Sequence, residues 1–219
     1  MSKLELNKIH EVVIEKADIQ LNGLLYLPSG AVGIVLFAHG SGSSRFSVRN
    51  QAVAKVLNDA GLATLLFDLL MPDEEATDEL TGKIRFDIEF LASRLIMATD
   101  WICNNESIRD LEVGYFGAST GGGAALVAAA QRIDQVKAVV SRGGRPDLAG
   151  KALELVQAPT LLIVGGNDFQ VIEMNEEALD KLMCVKKLVI VEGATHLFEE
   201  PGTLEQVASV ACQWFLSNF

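Results

Sequence analysis

Two rhythms of apolar and polar positions alternate along this chain. Short apolar runs bounded by Gly, Pro or Asp recur, and between them apolar residues return at helical spacing. The runs "GIVLFAHG" (33–40), "LATLLFDLL" (62–70), "LEVGYFGA" (111–118), "VKAVVS" (136–141), "APTLLIVGG" (158–166) and "KKLVIVEG" (186–193) read as strands buried on both faces. "VVIEKADIQLNGLLYLP" (12–28) alternates instead and reads as a hairpin, with Asn22-Gly23 as its turn. Helices are predicted over Ser47 to Asp59, from about Thr120 to Gln131, and over Val171 to Leu182. A long one carries the stripe Ile84, Ile88, Leu91, Leu95, Ala98 and Ile102. Thr203 and Gln206 fit a capping box opening a last helix, buried through Leu204, Val207, Ala208, Ala211 and Phe215. Pro72 to Lys83 reads as an acidic surface loop. Strands and helices in this alternation predict an α/β protein, a mostly parallel sheet with helices on both faces. Sites in such sheets lie at the carboxyl ends of the strands.

Composition narrows the picture. With 219 residues, 49% of them hydrophobic, the chain is expected to form one domain, 1–219, with a full core. Its 29 acidic and 18 basic residues give a formal charge of −11. That charge disfavours nucleic acid as a partner. "MSKLELNKIH" offers no signal-type apolar core, and no run approaches the ~20 apolar residues of a membrane span. A cytoplasmic protein without a membrane partner is expected. Cys103, Cys184 and Cys212 are too scattered for a CxxC pair, and read as buried free thiols. No His, Cys and carboxylate spacing suggests a metal, and no cofactor is implied. Oligomeric state is not legible.

The chemistry concentrates in "GYFGASTGGGAA" (114–125). A phosphate-binding Walker loop needs a Lys after its last glycine, and none follows. The dinucleotide fingerprint has a nearer miss at Gly40-Ser41-Gly42-Ser43-Ser44-Arg45, with Asp68 after the next strand. Arg45, however, stands where close helix–strand packing requires a glycine. Gly117-Ala118-Ser119-Thr120-Gly121 matches G-x-S-x-G between a buried strand and an Ala-rich helix. There the serine sits on a tight turn, and its neighbours two before and two after must be small. The competing reading of Ser119 is a plain helix cap.

A nucleophilic serine needs a base, and the base an orienting acid. Of three histidines, His10 precedes the hairpin and His39 ends a strand beside a glycine-rich loop, where it supports that loop. His196 lies in "EGATHLFEEPG" (192–202), the loop where a base would follow in the order Ser, acid, His. Asp168, directly after "LLIVGG", is the favoured acid, and Asp147 the alternative, also readable as a helix start. The N–H groups of Thr120 and Ser41, less so of Gly42, are the candidate oxyanion donors. Arg45 and Arg49 follow one strand and Arg142 and Arg145 another. They read as salt bridges to Asp68, Asp147 or loop acids. A clamp for an anionic substrate group, using Gly42, Arg45, Arg142 and Arg145, is the alternative.

Taken in order, "FAHGSGSSR", "GYFGASTGGGAA", "VGGNDFQV" and "GATHLFEEPG" resemble the α/β-hydrolase superfamily, and within it the dienelactone hydrolase-like proteins. The resemblance implies an eight-stranded, mostly parallel sheet and a Ser119–His196–Asp168 triad. It departs from that family in two places. Dienelactone hydrolases proper use a cysteine nucleophile and carry a glutamate beside the oxyanion loop, where this chain has Ser119 and Gly40. The short segment between "VKAVVS" and "APTLLIV" leaves no room for a large cap domain. The expected function is hydrolysis of a small ester, lactone or thioester through an acyl-enzyme. Dienelactone hydrolysis, acyl transfer or peptide hydrolysis on the same residues, and a non-catalytic or nucleotide-binding α/β protein, are the alternatives.

Overall fold

The apolar runs pair into one sheet, in a computed structural model that describes residues 4–219. Residues 1–3, part of the N-terminal stretch read above for a signal segment, lie outside the described residues. The strands are β1 (Ile9–Lys16), β2 (Ile19–Tyr26), β3 (Gly33–Ala38), β4 (Ala63–Phe67), β5 (Glu112–Ala118), β6 (Val136–Arg142), β7 (Thr160–Gly165) and β8 (Lys186–Val191). They lie in the order β1-β2-β4-β3-β5-β6-β7-β8. The β1/β2 and β2/β4 pairs are antiparallel, and every pair from β4 across to β8 is parallel. The described residues also form six α-helices: α1 (Val48–Asp59), α2 (Pro72–Thr81), α3 (Ile88–Cys103), α4 (Thr120–Gln131), α5 (Phe169–Lys181) and α6 (Thr203–Asn218).

Period-two alternation in β3 splits the core. Ile34, Leu36 and Ala38 face one apolar layer, shared with α3 and α4. Val35 and Phe37 face the other, under α1 and α6, where Phe37 stacks on Phe116 of β5 at 4.9 Å between ring centroids. Both faces of the central strands are therefore dry, which explains their unbroken apolar runs.

Several local expectations are overturned. The hairpin turns at Ala17-Asp18, with Ala17 at φ 51° and Lys16 opposite Ile19. Asn22 and Gly23 lie inside β2, because its other edge must pair with β4, Gly23 opposite Phe67. Tertiary pairing has overridden a local turn signal. Pro72–Thr81 is a helix rather than a loop. Pro72 opens it, the Glu74 carboxylate accepts the Met71 N–H at 2.8 Å, and Gly82 ends it at φ 64°. The buried Asp78 then accepts the N–H groups of Ile84 (2.7 Å) and Arg85 (3.0 Å) and the Arg85 Nε (2.7 Å). Glu74 pairs with the buried Arg94 of α3. Acidic residues that read as solvated are thus the fastening of α2. Ile84 belongs to a 3-10 turn, and α3 starts at Ile88, capped by Asp87 through the Phe90 N–H at 3.0 Å. No capping box forms at Thr203, whose hydroxyl donates to the Glu200 carbonyl at 2.7 Å. His10 sits within β1, bonded to the Glu5 carbonyl at 2.8 Å. The three cysteines are free, but only Cys212 is buried, and Cys103 is exposed. Residues 143–159, between β6 and β7, hold 3-10 helix over Pro146–Leu155, broken by a kink at Gly150 (φ 53°), and no cap domain. Among the described residues no helix is long and apolar enough to cross a membrane.

Candidate active site

The loops after β3, β5, β6, β7 and β8 meet at the carboxyl edge of the sheet. Ser119 links β5 to α4 at φ 50°, ψ −123°, a conformation that non-glycine residues seldom adopt. It is held there by backbone. Its N–H donates to the Arg142 carbonyl (3.3 Å), and its carbonyl accepts from Gly122 (2.9 Å) and Arg145 (3.0 Å). Its hydroxyl makes no helix-capping bond, so the plain-cap reading fails.

The turn closes only because its flanks lack side chains. A Cβ on Gly117 would strike the Gly121 carbonyl, and one on Gly121 would strike the Ala38 carbonyl and approach the His39 oxygen at 2.7 Å. All these neighbours are backbone, which cannot move aside. Gly121→Ala is expected to destabilise the fold by about 3 kcal/mol, the upper range for overpacking, and to lower Tm by roughly 6–12 °C. Thermal unfolding followed by circular dichroism measures this.

His196 and Asp168 come together from different loops. His196 Nδ1 lies 2.6 Å from Asp168 Oδ2. The Nδ1 proton donates to that carboxylate, which leaves Nε2 as the acceptor. Asp168 stands at the N-cap position just before α5 but does not cap it with its side chain, so the carboxylate is committed to the imidazole. The His196 loop has its own anchor. Glu200 accepts the Thr195 N–H (3.1 Å) and hydroxyl (2.7 Å), and those two bonds hold its carboxyl below the usual range. Phe198, at φ 55°, is buried beneath the loop. Asp147, the alternative acid, is taken up by Arg145 in a two-bond fork at 2.8 and 2.7 Å.

The two candidate oxyanion residues adjoin, with Ser41 Oγ 3.2 Å from Thr120 Oγ1. Thr120 opens α4, and a first-turn N–H has no acceptor within its own helix. Gly42 continues this loop at φ 65°. His39 braces it. Its Nε2 accepts the Leu69 N–H at 3.1 Å, so its Nδ1 carries the proton donated to the Gly40 carbonyl at 3.0 Å. Burial pushes the His39 pKa below its ordinary 6.5, against smaller opposing effects of the Gly40 bond and the Asp68 charge. The unfolded chain therefore takes up this proton first as pH falls. His39 stabilises the fold fully above pH 6.5, and that stability is lost as pH falls toward and through its folded pKa. Urea midpoints at pH 7.5 and pH 5 should fall further for the parent than for His39→Gln, whose amide preserves one donor and one acceptor.

A cavity of about 220 Å³ contains Ser119 and His196 together with Ser47, Arg49, Asn50 and Arg142. On the other side of the loop after β3 a smaller one, about 80 Å³, is walled by Glu75, Glu79 and Arg85 with Ser41 and Thr120. The α2 region thus borders the site. Arg45 is held by Asp68, through both its N–H (2.8 Å) and its guanidinium. Arg49 reaches Glu199 at 3.3 Å. Arg142 has no carboxylate partner among the described residues. Among those residues no group of three His, Cys or carboxylate side chains could hold a metal.

The sequence did not point to Glu200, Asn50 or Asn175. Asn175, fully buried, donates to the Gly144 carbonyl at 3.1 Å and fixes the loop after β6. Asn175 acts across 31 residues and Glu200 within a loop, where no periodicity marks them.

Known proteins are similar to this chain in sequence and fold. A family model described as dienelactone hydrolase family matches residues 21–216. A crystal structure of a dienelactone hydrolase from Anabaena variabilis is 60% identical, with TM-score 0.95, over 97% of this chain and 98% of that one. Est1E from Butyrivibrio proteoclasticus shares the fold at 18% identity and TM-score 0.79, over 95% of this chain and 98% of that one. Proteins of two Mycobacterium tuberculosis strains, provisionally named phosphoribosyl transferases, are 57% identical over 208 residues. That match covers 95% of this chain and 46% of theirs, so the chain spans under half the length of these relatives. With the family model reaching across nearly all its strands, the chain belongs to the dienelactone hydrolase family, on an α/β-hydrolase fold.

Proposed function

We propose that this protein is a serine hydrolase of small ester-type substrates, with Ser119 as nucleophile, His196 as base and Asp168 as its orienting acid. The observation that carries the reading is Ser119 itself. A serine held at positive φ on a strand-to-helix turn, with its hydroxyl unused as a cap, is a costly arrangement, and nucleophile turns use it. His196 Nε2 takes the hydroxyl proton as Ser119 Oγ attacks the carbonyl carbon. The N–H groups of Thr120 and Ser41 stabilise the resulting oxyanion. His196 then gives the proton to the departing alcohol, and water releases the acyl group by the same route. Asp168 keeps the imidazole in the tautomer this requires.

The modest cavities and the short β6–β7 segment favour compact substrates over long acyl chains. The 60% identical relative named a dienelactone hydrolase brings lactones into the candidate set, beside open-chain esters and thioesters. Rapid mixing with a 4-nitrophenyl ester tests the reading. A burst of about one nitrophenolate per chain before the steady state is expected wherever deacylation is the slower step. The panel of esters, lactones and thioesters then ranks substrates by kcat/KM. No turnover of any member above buffer, in protein of intact fold, contradicts the reading.

A further inference from the structure

Arg142 is the one arginine among the described residues without a carboxylate at ion-pair distance. Each of the others has one: Asp68, Glu199, Asp78, Glu74, Asp110, Asp100 and Asp147 serve Arg45, Arg49, Arg85, Arg94, Arg109, Arg132 and Arg145. Yet Arg142 is only 6% exposed. Its nearest aromatic partner, Phe198, has its ring centroid 5.7 Å away, and its Nε has no hydrogen-bond acceptor. Burial, and secondly the nearby Arg49 charge, lower its pKa to about 10, so it stays a cation at neutral pH. A buried, unpaired cation is strongly unfavourable unless something else supplies the anion.

The surroundings hold further unpartnered polar atoms. Arg142 lines the cavity that holds Ser119 and His196, and so do Ser43, Ser47, Arg49 and Asn50. Arg49 keeps an unused buried Nε even though its terminal nitrogen reaches Glu199. Asn50, 2% exposed, has an unpartnered side-chain oxygen. Ser47 caps α1, accepting the Asn50 N–H at 3.3 Å, so the positive end of a twelve-residue helix opens on the same space. Two guanidinium groups, hydroxyls and a helix N-terminus converge within about 220 Å³.

We propose that Arg142, Arg49 and the first turn of α1 form a subsite for a phosphomonoester group on the substrate, beside the nucleophile. This deepens the serine-hydrolase reading and rests on it. The charges fit: Arg142 brings an unpaired positive charge, and Arg49 a second that it shares with exposed Glu199, toward a group carrying roughly two negative charges near neutral pH. The donors match too. A phosphate offers three oxygens around a tetrahedron, and the donors come from β6, from α1 and from the loop before it. A planar carboxylate presents two oxygens in one plane and one charge, leaving part of this set idle.

Binding is measured in the Ser119→Ala variant, which removes turnover and leaves the subsite. Calorimetric titration compares phenyl phosphate with benzoate. Phenyl phosphate is expected to bind at least tenfold tighter, and Arg142→Met in that background to weaken it at least tenfold, with Arg142→Lys in between. Arg142→Met should also leave Tm unchanged or raised, because it removes an uncompensated buried charge, whereas a structural arginine would lower it. Benzoate binding as tightly as phenyl phosphate, or phosphate binding indifferent to both Arg142 variants, overturns the proposal. Because this readout needs no catalysis, it fails or stands separately from the nucleophile assignment.

Discussion

Ser119→Ala is expected to lower kcat on any ester the protein turns over by about 10⁶-fold, with KM little changed. The size follows from what is removed. Without the hydroxyl no acyl-enzyme forms, and His196 and Asp168 have no nucleophile to activate. What remains is the oxyanion site acting on water, worth about 10³-fold over the uncatalysed reaction. The variant should fold normally. Alanine deletes only an oxygen that caps nothing, and the bonds holding the turn run through the Ser119 backbone. Equal far-ultraviolet spectra beside lost turnover separate the chemical effect from unfolding.

Asp168→Asn is expected to lower kcat by about 10⁴-fold. The asparagine fits the same space, but its amide can present an N–H to His196 Nδ1 where the carboxylate only accepts. The imidazole would then place its proton on Nε2, facing Ser119 with a donor instead of an acceptor. The carboxylate charge that stabilises the imidazolium is lost as well. Because Asp168 makes no cap bond to α5, the stability of the variant should change little. By contrast Asp147→Asn should leave kcat within a fewfold. That carboxylate is engaged with Arg145 and has no bond to His196.

Particular residues show why parts of this protein were legible from sequence. The β3, β5 and β7 strands announced themselves because both their faces are buried, so all their positions but the opening Glu112 and Thr160 are apolar or glycine. The tight turn at Ser119 was legible because it demands glycine at 117 and 121, and steric demands are written locally. His196 and Asp168 were placed by chain order and strand ends, which the sheet topology then converts into a 2.6 Å contact. Asn22-Gly23 misled because pairing with β4, more than forty residues onward, outweighed the dipeptide's own preference. The α2 segment misled because its acids were counted as solvated charge. Asp78 and Glu74 are instead consumed by Arg85 and Arg94, partners that composition cannot assign. The arginines divided for the same reason. Arg45 and Arg145 have salt bridges to Asp68 and Asp147, while Arg142 is buried without one, and only the packing of β6 beside the cavity distinguishes them.

The central claim is that Ser119 is the nucleophile, and a serine-directed fluorophosphonate tests it most directly. Intact-mass analysis followed by peptide mapping should find one adduct per chain on the peptide containing Ser119. Labelling should be absent from Ser119→Ala and slowed strongly in His196→Ala. Undiminished labelling of Ser119→Ala, or full ester turnover by a protein that the probe never modifies, would contradict the account.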